Sequence, residues 1–291
     1  MTQAIQTPII HRFIPTNGIQ LHVAQAGDPA NELVILLHGF PEFWYGWRGQ
    51  IDALVEAGYY VWCPDQRGYN LSDKPAGVAA YQIDALAADI VGLIDAAGRE
   101  KVYLVGHDWG AAVAWHIAIH YPDRLKKLAI LNVPHPQVMT QTLRTNPEQI
   151  LKSWYMGFFQ TPLLPEGMFL MGDANIAAAS LFATSRPGTF TDADIPEYIK
   201  AWKQRGAATA MINWYRALVR HQPDMRGDQR VRVPTLIIWG VEDRFLSASM
   251  TEPSRAMCDD GQLVLIDGAS HWVQHEEAAR VNALLIAHFN R

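Results

Sequence analysis

Short unbroken apolar runs alternate along this chain with stretches in which apolar residues recur three and four positions apart. Residues 33–37 and 59–63 are continuous apolar runs, as expected of strands buried on both faces. Ala85, Leu86, Ile90, Leu93 and Ile94 fall at helical spacing before Gly98, a natural helix stop. Residues 102–105 read as the next strand, 111–121 as a helix and 128–131 as a further strand. This alternation predicts an α/β fold with a mainly parallel twisted sheet flanked by helices.

The pattern breaks at Pro134-His135-Pro136. From there to residue 228 the chain is helix-like and irregular, with no strand pattern. Residues 233–239 and 263–266 then resume as strands, and 249–257 and 278–289 as helices. The economical organisation is one core, 1–134 and 229–291, interrupted by a helical insertion over 135–228. No internal repeat, low-complexity stretch or long linker is visible.

Composition narrows the class. The 291 residues are 49% hydrophobic, and a chain of this length buries roughly 75% of its unfolded surface without staples. A net charge of -5 gives no basic footprint for nucleic acid. No apolar run approaches the roughly 20 residues that span a bilayer, so no membrane partner is expected. Residues 1–13 lack an apolar h-region and a small-residue cleavage pattern, so no secretory signal is expected. Cys63 and Cys258 are isolated and read as buried thiols. The cytoplasm is the expected location.

The chemistry centres on Gly106-His107-Asp108-Trp109-Gly110, directly after the 102–105 run. Glycines two positions either side of a residue let a strand turn sharply into a helix and expose that residue at the bend. A serine there attacks carbonyls, whereas a carboxylate displaces a leaving group from an sp³ carbon and forms an ester on the protein. Two partners follow in order. Asp243 lies in the turn Gly240-Val241-Glu242-Asp243, and His271 in Gly268-Ala269-Ser270-His271-Trp272, each just past a strand. Strand C-terminal ends gather ligands and chemistry in open α/β sheets, so the three converge on one edge. Glu242 reads as a solvated turn carboxylate. Asn132-Val133-Pro134, after the preceding strand, offers no rival acid.

With His38-Gly39-Phe40-Pro41, this order of nucleophile, acid and histidine resembles the α/β-hydrolase fold over nearly the whole chain. The resemblance implies Asp108 as nucleophile, Asp243 as acid, His271 as base, and the Phe40 and Trp109 backbone N–H groups as an oxyanion hole. Whether the bond before Pro41 is cis stays open. Asp65-Gln66-Arg67-Gly68-Tyr69-Asn70-Leu71-Ser72-Asp73 resembles the family's turn after its fourth strand, with Asn70, tolerant of left-handed geometry, where glycine is common.

Residues 153–160 and 213–216 look like the cap segments that carry the paired tyrosines of epoxide hydrolases. By that resemblance Tyr155 and Tyr215 donate to the epoxide oxygen, with Tyr198 as the reserve. Haloalkane dehalogenases often place Asn where this chain has Phe40, and fluoroacetate dehalogenases place arginines where it has Trp109 and Ala112. Trp109 is the one neighbour whose indole N–H suits a halide. The resemblance therefore implies an epoxide hydrolase that makes a vicinal diol, with a haloalkane dehalogenase or a non-catalytic hydrolase-fold binding protein as alternatives. It implies no cofactor, a small-molecule epoxide as partner, and a monomer or homodimer. Trp109, Phe159 and Trp272 are the expected substrate-binding residues, with Leu163, Phe169, Phe182 and Met250 shaping the cap. The pairs His116/His120 and His271/His275 lack the H-E-x-x-H form, so no metal is expected.

Overall fold

A computed structural model describes residues 5–223 and 225–291; positions 1–4 of the stretch read for a leader lie outside them. In chain order the core begins β1 (Ile10–Thr16), β2 (Ile19–Ala26), β3 (Glu32–Leu37), α1 (Arg48–Glu56), β4 (Tyr59–Pro64), α2 (Ile83–Ala96), β5 (Val102–His107), α3 (Trp109–His120) and β6 (Leu125–Leu131). Helices α4 (Pro136–Thr145), α5 (Pro147–Lys152), α6 (Trp154–Phe158), α7 (Leu164–Leu170), α8 (Asn175–Thr184), α9 (Ile195–Trp202) and α10 (Ala207–Arg220) intervene. The core closes with β7 (Thr235–Gly240), α11 (Thr251–Ala256), β8 (Gly261–Ile266), α12 (Val273–Glu276) and α13 (Ala278–Phe289).

The strands form one eight-stranded sheet in the order β1-β2-β4-β3-β5-β6-β7-β8. From β4 to β8 every pairing is parallel, while β1 and β2 run antiparallel at one edge. The fold class expected from the sequence is therefore observed. The β1–β2 hairpin and α1 escaped the sequence reading. Most of β1 is exposed, so it carries little alternation, and β2 buries His22 and Gln25 among its apolar residues. Strand β6 begins three residues before the apolar run, because Lys126 and Lys127 occupy its half-buried start.

The sheet has a core on each face. Along β3, Leu33, Ile35 and Leu37 pack on the side of α2 and α3, and Val34 and Leu36 on the side of α1 and α13. The period-2 alternation is thus present although both faces are apolar. Helix α3 is apolar nearly all round, with Val113, Trp115 and Ile117 fully buried, as befits a helix enclosed on every side. Register sets the functional edge: Leu37 lies opposite Gly106, His107 opposite Leu131, and Leu131 opposite Ile238. Residues 38–40, 108, 132 and 241–243 consequently leave the sheet side by side. The inserted helices dock over that edge, Trp202 donating its indole N–H to the Pro41 carbonyl at 2.5 Å and Trp214 to the Arg67 carbonyl at 3.0 Å. Both cysteines are free and buried. Among the described residues no helix is long and apolar enough to cross a membrane.

Candidate active site

Asp108 sits between β5 and α3 at φ 49° and ψ -124°, a conformation that costs a non-glycine residue about 1–3 kcal/mol and persists only where its surroundings enforce it. The flanking glycines are needed for a different reason than the bend itself. Neither has positive φ. A Cβ on Gly106 would stand 2.5 Å from the Gly110 carbonyl oxygen, and one on Gly110 would strike the Leu37 and His38 carbonyls. Crowding, not conformational freedom, excludes side chains there, and Asp108 itself holds the left-handed geometry.

The Phe40 N–H donates to Asp108 Oδ1 at 2.7 Å. Trp109, as the first residue of α3, has a backbone N–H outside the intrahelical ladder. The Phe40–Pro41 bond is cis. Asn70 adopts φ 38° and donates to buried Asp65 at 2.8 Å, as an Asn in the glycine position allows.

His271 joins the two carboxylates. Its Nδ1–H donates to Asp243 Oδ2 at 2.7 Å, and its Nε2 lies 3.4 Å from Asp108 Oδ2. Asp243 is fixed in turn by the Phe245 and Leu246 N–H groups on Oδ1, at 2.7 and 2.9 Å. A further ligand of this carboxylate was missed from sequence. Asn132, fully buried at φ 53°, donates to Asp243 Oδ2 at 2.7 Å and accepts from the Gly240 N–H at 2.9 Å. Its signal was available: an Asn, a residue that tolerates left-handed geometry, at the end of a central strand. Glu242 is exposed.

Burial alone would lower the His271 pKa, but Asp243 and Asp108 more than offset it and raise it to about 10. Burial pushes the Asp108 carboxyl up, and hydrogen bonding to His271, the charges of His271 and His107, and the Phe40 N–H bring it below the ordinary value. An ion pair in the resting site follows from both.

Behind this pair lies a buried polar cluster. Glu42 accepts from Tyr198 at 2.8 Å, His275 at 2.7 Å and Gln274 at 3.0 Å. His107 donates from Nε2 to the His271 carbonyl at 2.8 Å, and its Nδ1 faces Gln274 at 3.0 Å and Glu42 at 3.5 Å. Burial opposes ionisation of Glu42, yet the charge of His275 and hydrogen bonds from His107 and His275 hold it well below the carboxylate range. Tyr198, the reserve donor, is therefore committed to Glu42.

Tyr155 on α6 and Tyr215 on α10 meet edge to face with ring centroids 5.9 Å apart. Burial and the Asp108 and Asp243 carboxylates raise the Tyr155 pKa. Burial, Asp108, Tyr155 and Tyr69 raise that of Tyr215, while a hydrogen bond from Trp109 partly offsets them. Trp109 thus turns its indole toward Tyr215, at a ring separation of 5.0 Å. Phe159 packs on Tyr215 at 4.7 Å, Phe40 on Tyr215 at 5.3 Å and Phe245 on Tyr155 at 5.7 Å, and Phe169 lies against Phe40 at 5.7 Å. Trp272 is placed differently, edge-on to His271 at 5.3 Å, with its indole N–H on Thr184 at 3.1 Å. Leu163 and Phe182 are exposed and Met250 is buried. His116 pairs with Asp84 at 3.0 Å. Among the described residues no group of three or more His, Cys, Asp or Glu could hold a metal ion.

Comparison with known proteins places this geometry. A family model described as the alpha/beta hydrolase fold matches residues 32–278. The chain is 49% identical over 275 residues to the AB hydrolase superfamily protein YfhM of Bacillus subtilis (strain 168), covering 94% of this chain and 96% of that protein. It is 38% identical to Epoxide hydrolase 4 of Homo sapiens, covering 94% of this chain and 76% of the relative. The crystal structure of a Bacillus megaterium epoxide hydrolase in complex with an inhibitor superposes with TM-score 0.89 at 31% identity, over 96% of this chain and 100% of that one.

Proposed function

The chain belongs to the epoxide hydrolases of the α/β-hydrolase fold family, and from that premise we propose that it opens an epoxide to a vicinal diol through an ester on Asp108. The observation that carries this reading is the pair Tyr155 and Tyr215, ring centroids 5.9 Å apart among Phe40, Phe159 and Phe245, with the Asp108 carboxylate near enough to raise both phenol pKa values. An alkoxide leaving group needs a proton or strong hydrogen-bond donors, whereas a departing halide needs no acid. The Trp109 indole, the one group suited to a halide, is turned to Tyr215.

In the mechanism, Asp108 Oδ attacks an epoxide carbon while the two hydroxyls bind the ring oxygen. The carbon–oxygen bond breaks, the ester forms, and the alkoxide takes a proton from one tyrosine. Resting His271 carries a proton. Passed on to the tyrosinate through solvent, it leaves His271 neutral when a base is required. Esterification favours that loss, since it removes the Asp108 charge that raised the His271 pKa. His271, oriented by Asp243, then takes a proton from water, which attacks the ester carbonyl. The Phe40 and Trp109 N–H groups hold the oxyanion. Collapse expels the diol oxygen, protonated from His271, and the Asp108 carboxyl returns its proton to His271. Protons and charges balance over the cycle, with no cofactor taking part.

In this assignment residues 135–228 form a cap that supplies the tyrosines, and 1–134 with 229–291 form the catalytic core. Phe159 and Trp109 line the substrate, while Trp272 supports His271 from behind. The free, buried thiols suit a reducing compartment such as the cytoplasm. Replacing His271 tests the reading: His271→Gln incubated with an epoxide such as styrene oxide accumulates a covalent adduct on Asp108, detected by mass. Full turnover without an adduct, or halide release from chloroalkanes that persists in Tyr155→Phe/Tyr215→Phe, contradicts it.

A further inference from the structure

Beyond the reacting groups, we infer that Arg216 is a positioning residue for ring opening, clamping the cap segments that carry Tyr155 and Tyr215 at one spacing. The inference rests on the tyrosines acting as proton donors. Arg216 follows Tyr215 on α10 and is buried. Its guanidinium takes Glu166 of α7 in a two-pronged pair, at 2.6 and 3.1 Å. Its remaining donors go to the Phe159 carbonyl at 3.0 Å, the Thr161 carbonyl at 2.7 Å and Asn213 Oδ1 at 3.2 Å. The two carbonyls belong to the turn that ends α6, four and six residues after Tyr155. One side chain therefore joins the backbone beyond one tyrosine to the helix bearing the other.

A second tie runs parallel. Gln160 donates from Nε2 to the Met156 carbonyl and to the Tyr215 carbonyl, each at 3.1 Å. Between the clamped carbonyls and Glu166, Leu163 takes φ 62° and is 81% exposed. A leucine in that conformation is strained, and its outward side chain offers no packing in return. The sharp reversal does return α7 so that Glu166 meets Arg216. A buried ion pair is weak evidence for stability, so its value here is geometric: a planar fork that fixes direction as well as distance, which a lysine cannot reproduce.

The test separates ester formation from ester hydrolysis by single-turnover mass measurements on Arg216→Lys, Glu166→Gln and Tyr215→Phe, alone and combined. Arg216→Lys should slow ester formation about 10- to 100-fold, the scale of a small misplacement of reacting groups, and leave hydrolysis within about 2-fold. In the Tyr215→Phe background the same substitution should cost no more than about 2-fold, because the pair of donors whose spacing it sets is gone. Glu166→Gln, which keeps an acceptor for Arg216, should act in the same direction more weakly, and stands in if Arg216→Lys does not fold. Losses that multiply fully with Tyr215→Phe, or that fall equally on both steps, would show a structural role and overturn the inference. Unchanged ester formation in Tyr215→Phe itself would instead remove the proton-donor assignment, a failure visible without any Arg216 variant.

Discussion

His271 Nε2 stands 3.4 Å from Asp108 Oδ2, an ion-pair distance, while Nδ1 of the same ring is held at 2.7 Å by Asp243. In the proposed reaction the imidazole is thereby shared between a fixed carboxylate and one that becomes an ester. Its proton would be stable before the ester forms and labile afterwards.

This arrangement has a pH signature. The His271 pKa is raised to about 10 from 6.5, so its protonated form stabilises the fold fully below about pH 6.5, and that contribution fades as pH rises through about 10. Asp108→Asn should move the imidazole titration, followed by NMR, down toward neutrality. The stability difference between the two proteins from this pair should shrink between pH 7 and pH 10. A wild-type His271 that titrates near 6.5 contradicts the ion pair.

The tyrosines should divide the work of ring opening. Tyr155→Phe and Tyr215→Phe each slow ester formation, and the double variant loses about 10²- to 10⁴-fold, the range of general acid catalysis. Because burial and Asp108 raise both pKa values, no loss of ester formation from tyrosine ionisation is expected below pH 10. Rapid-quench measurements across pH check both points.

Asn132→Ala should impair the second half-reaction. It removes the hydrogen bond to Asp243 and leaves the buried Gly240 N–H without its acceptor, at a cost of about 1–3 kcal/mol. Slower ester hydrolysis and a lower urea midpoint are the expected readouts. Unchanged hydrolysis would mean that the two N–H donors on Oδ1 suffice to orient Asp243.

Glu42→Gln tests the cluster behind the site. The Glu42 pKa is held well below its ordinary value, so its charge stabilises the fold above about pH 4.5, and that stability is lost as pH falls through the depressed value. The variant should lose about 1–3 kcal/mol at neutral pH, the scale of leaving buried hydrogen-bond donors mismatched. The gap should narrow in acid, as read from urea midpoints at each pH. A constant gap would show that Glu42 acts as a hydrogen-bond acceptor and not through its ionisation.

The sequence carried most of the sheet because β3 to β7 are buried on both faces and leave unbroken apolar runs. It carried the meeting of Asp108, Asp243 and His271 because each lies within five residues of the C-terminal end of β5, β7 or β8, and register does the rest. What escaped were contacts between distant polar residues. Glu42 joins Gln274 and His275 in one cluster although it lies more than two hundred residues from them, and neither periodicity nor local spacing encodes that pairing. Tyr198 has the composition of a cap donor, and only its contact with Glu42 removes it from that role. Gly106 and Gly110 were legible as an elbow, but for the wrong cause, since crowding by neighbouring carbonyls leaves no trace in the local sequence.

The most direct test of the ester on Asp108 is one turnover in heavy-oxygen water with enzyme in excess over epoxide. Attack of water on the ester carbonyl predicts label in the peptide containing Asp108 and an unlabelled diol. Label in the diol, with none in Asp108, would show that water attacks the epoxide directly and would contradict the account.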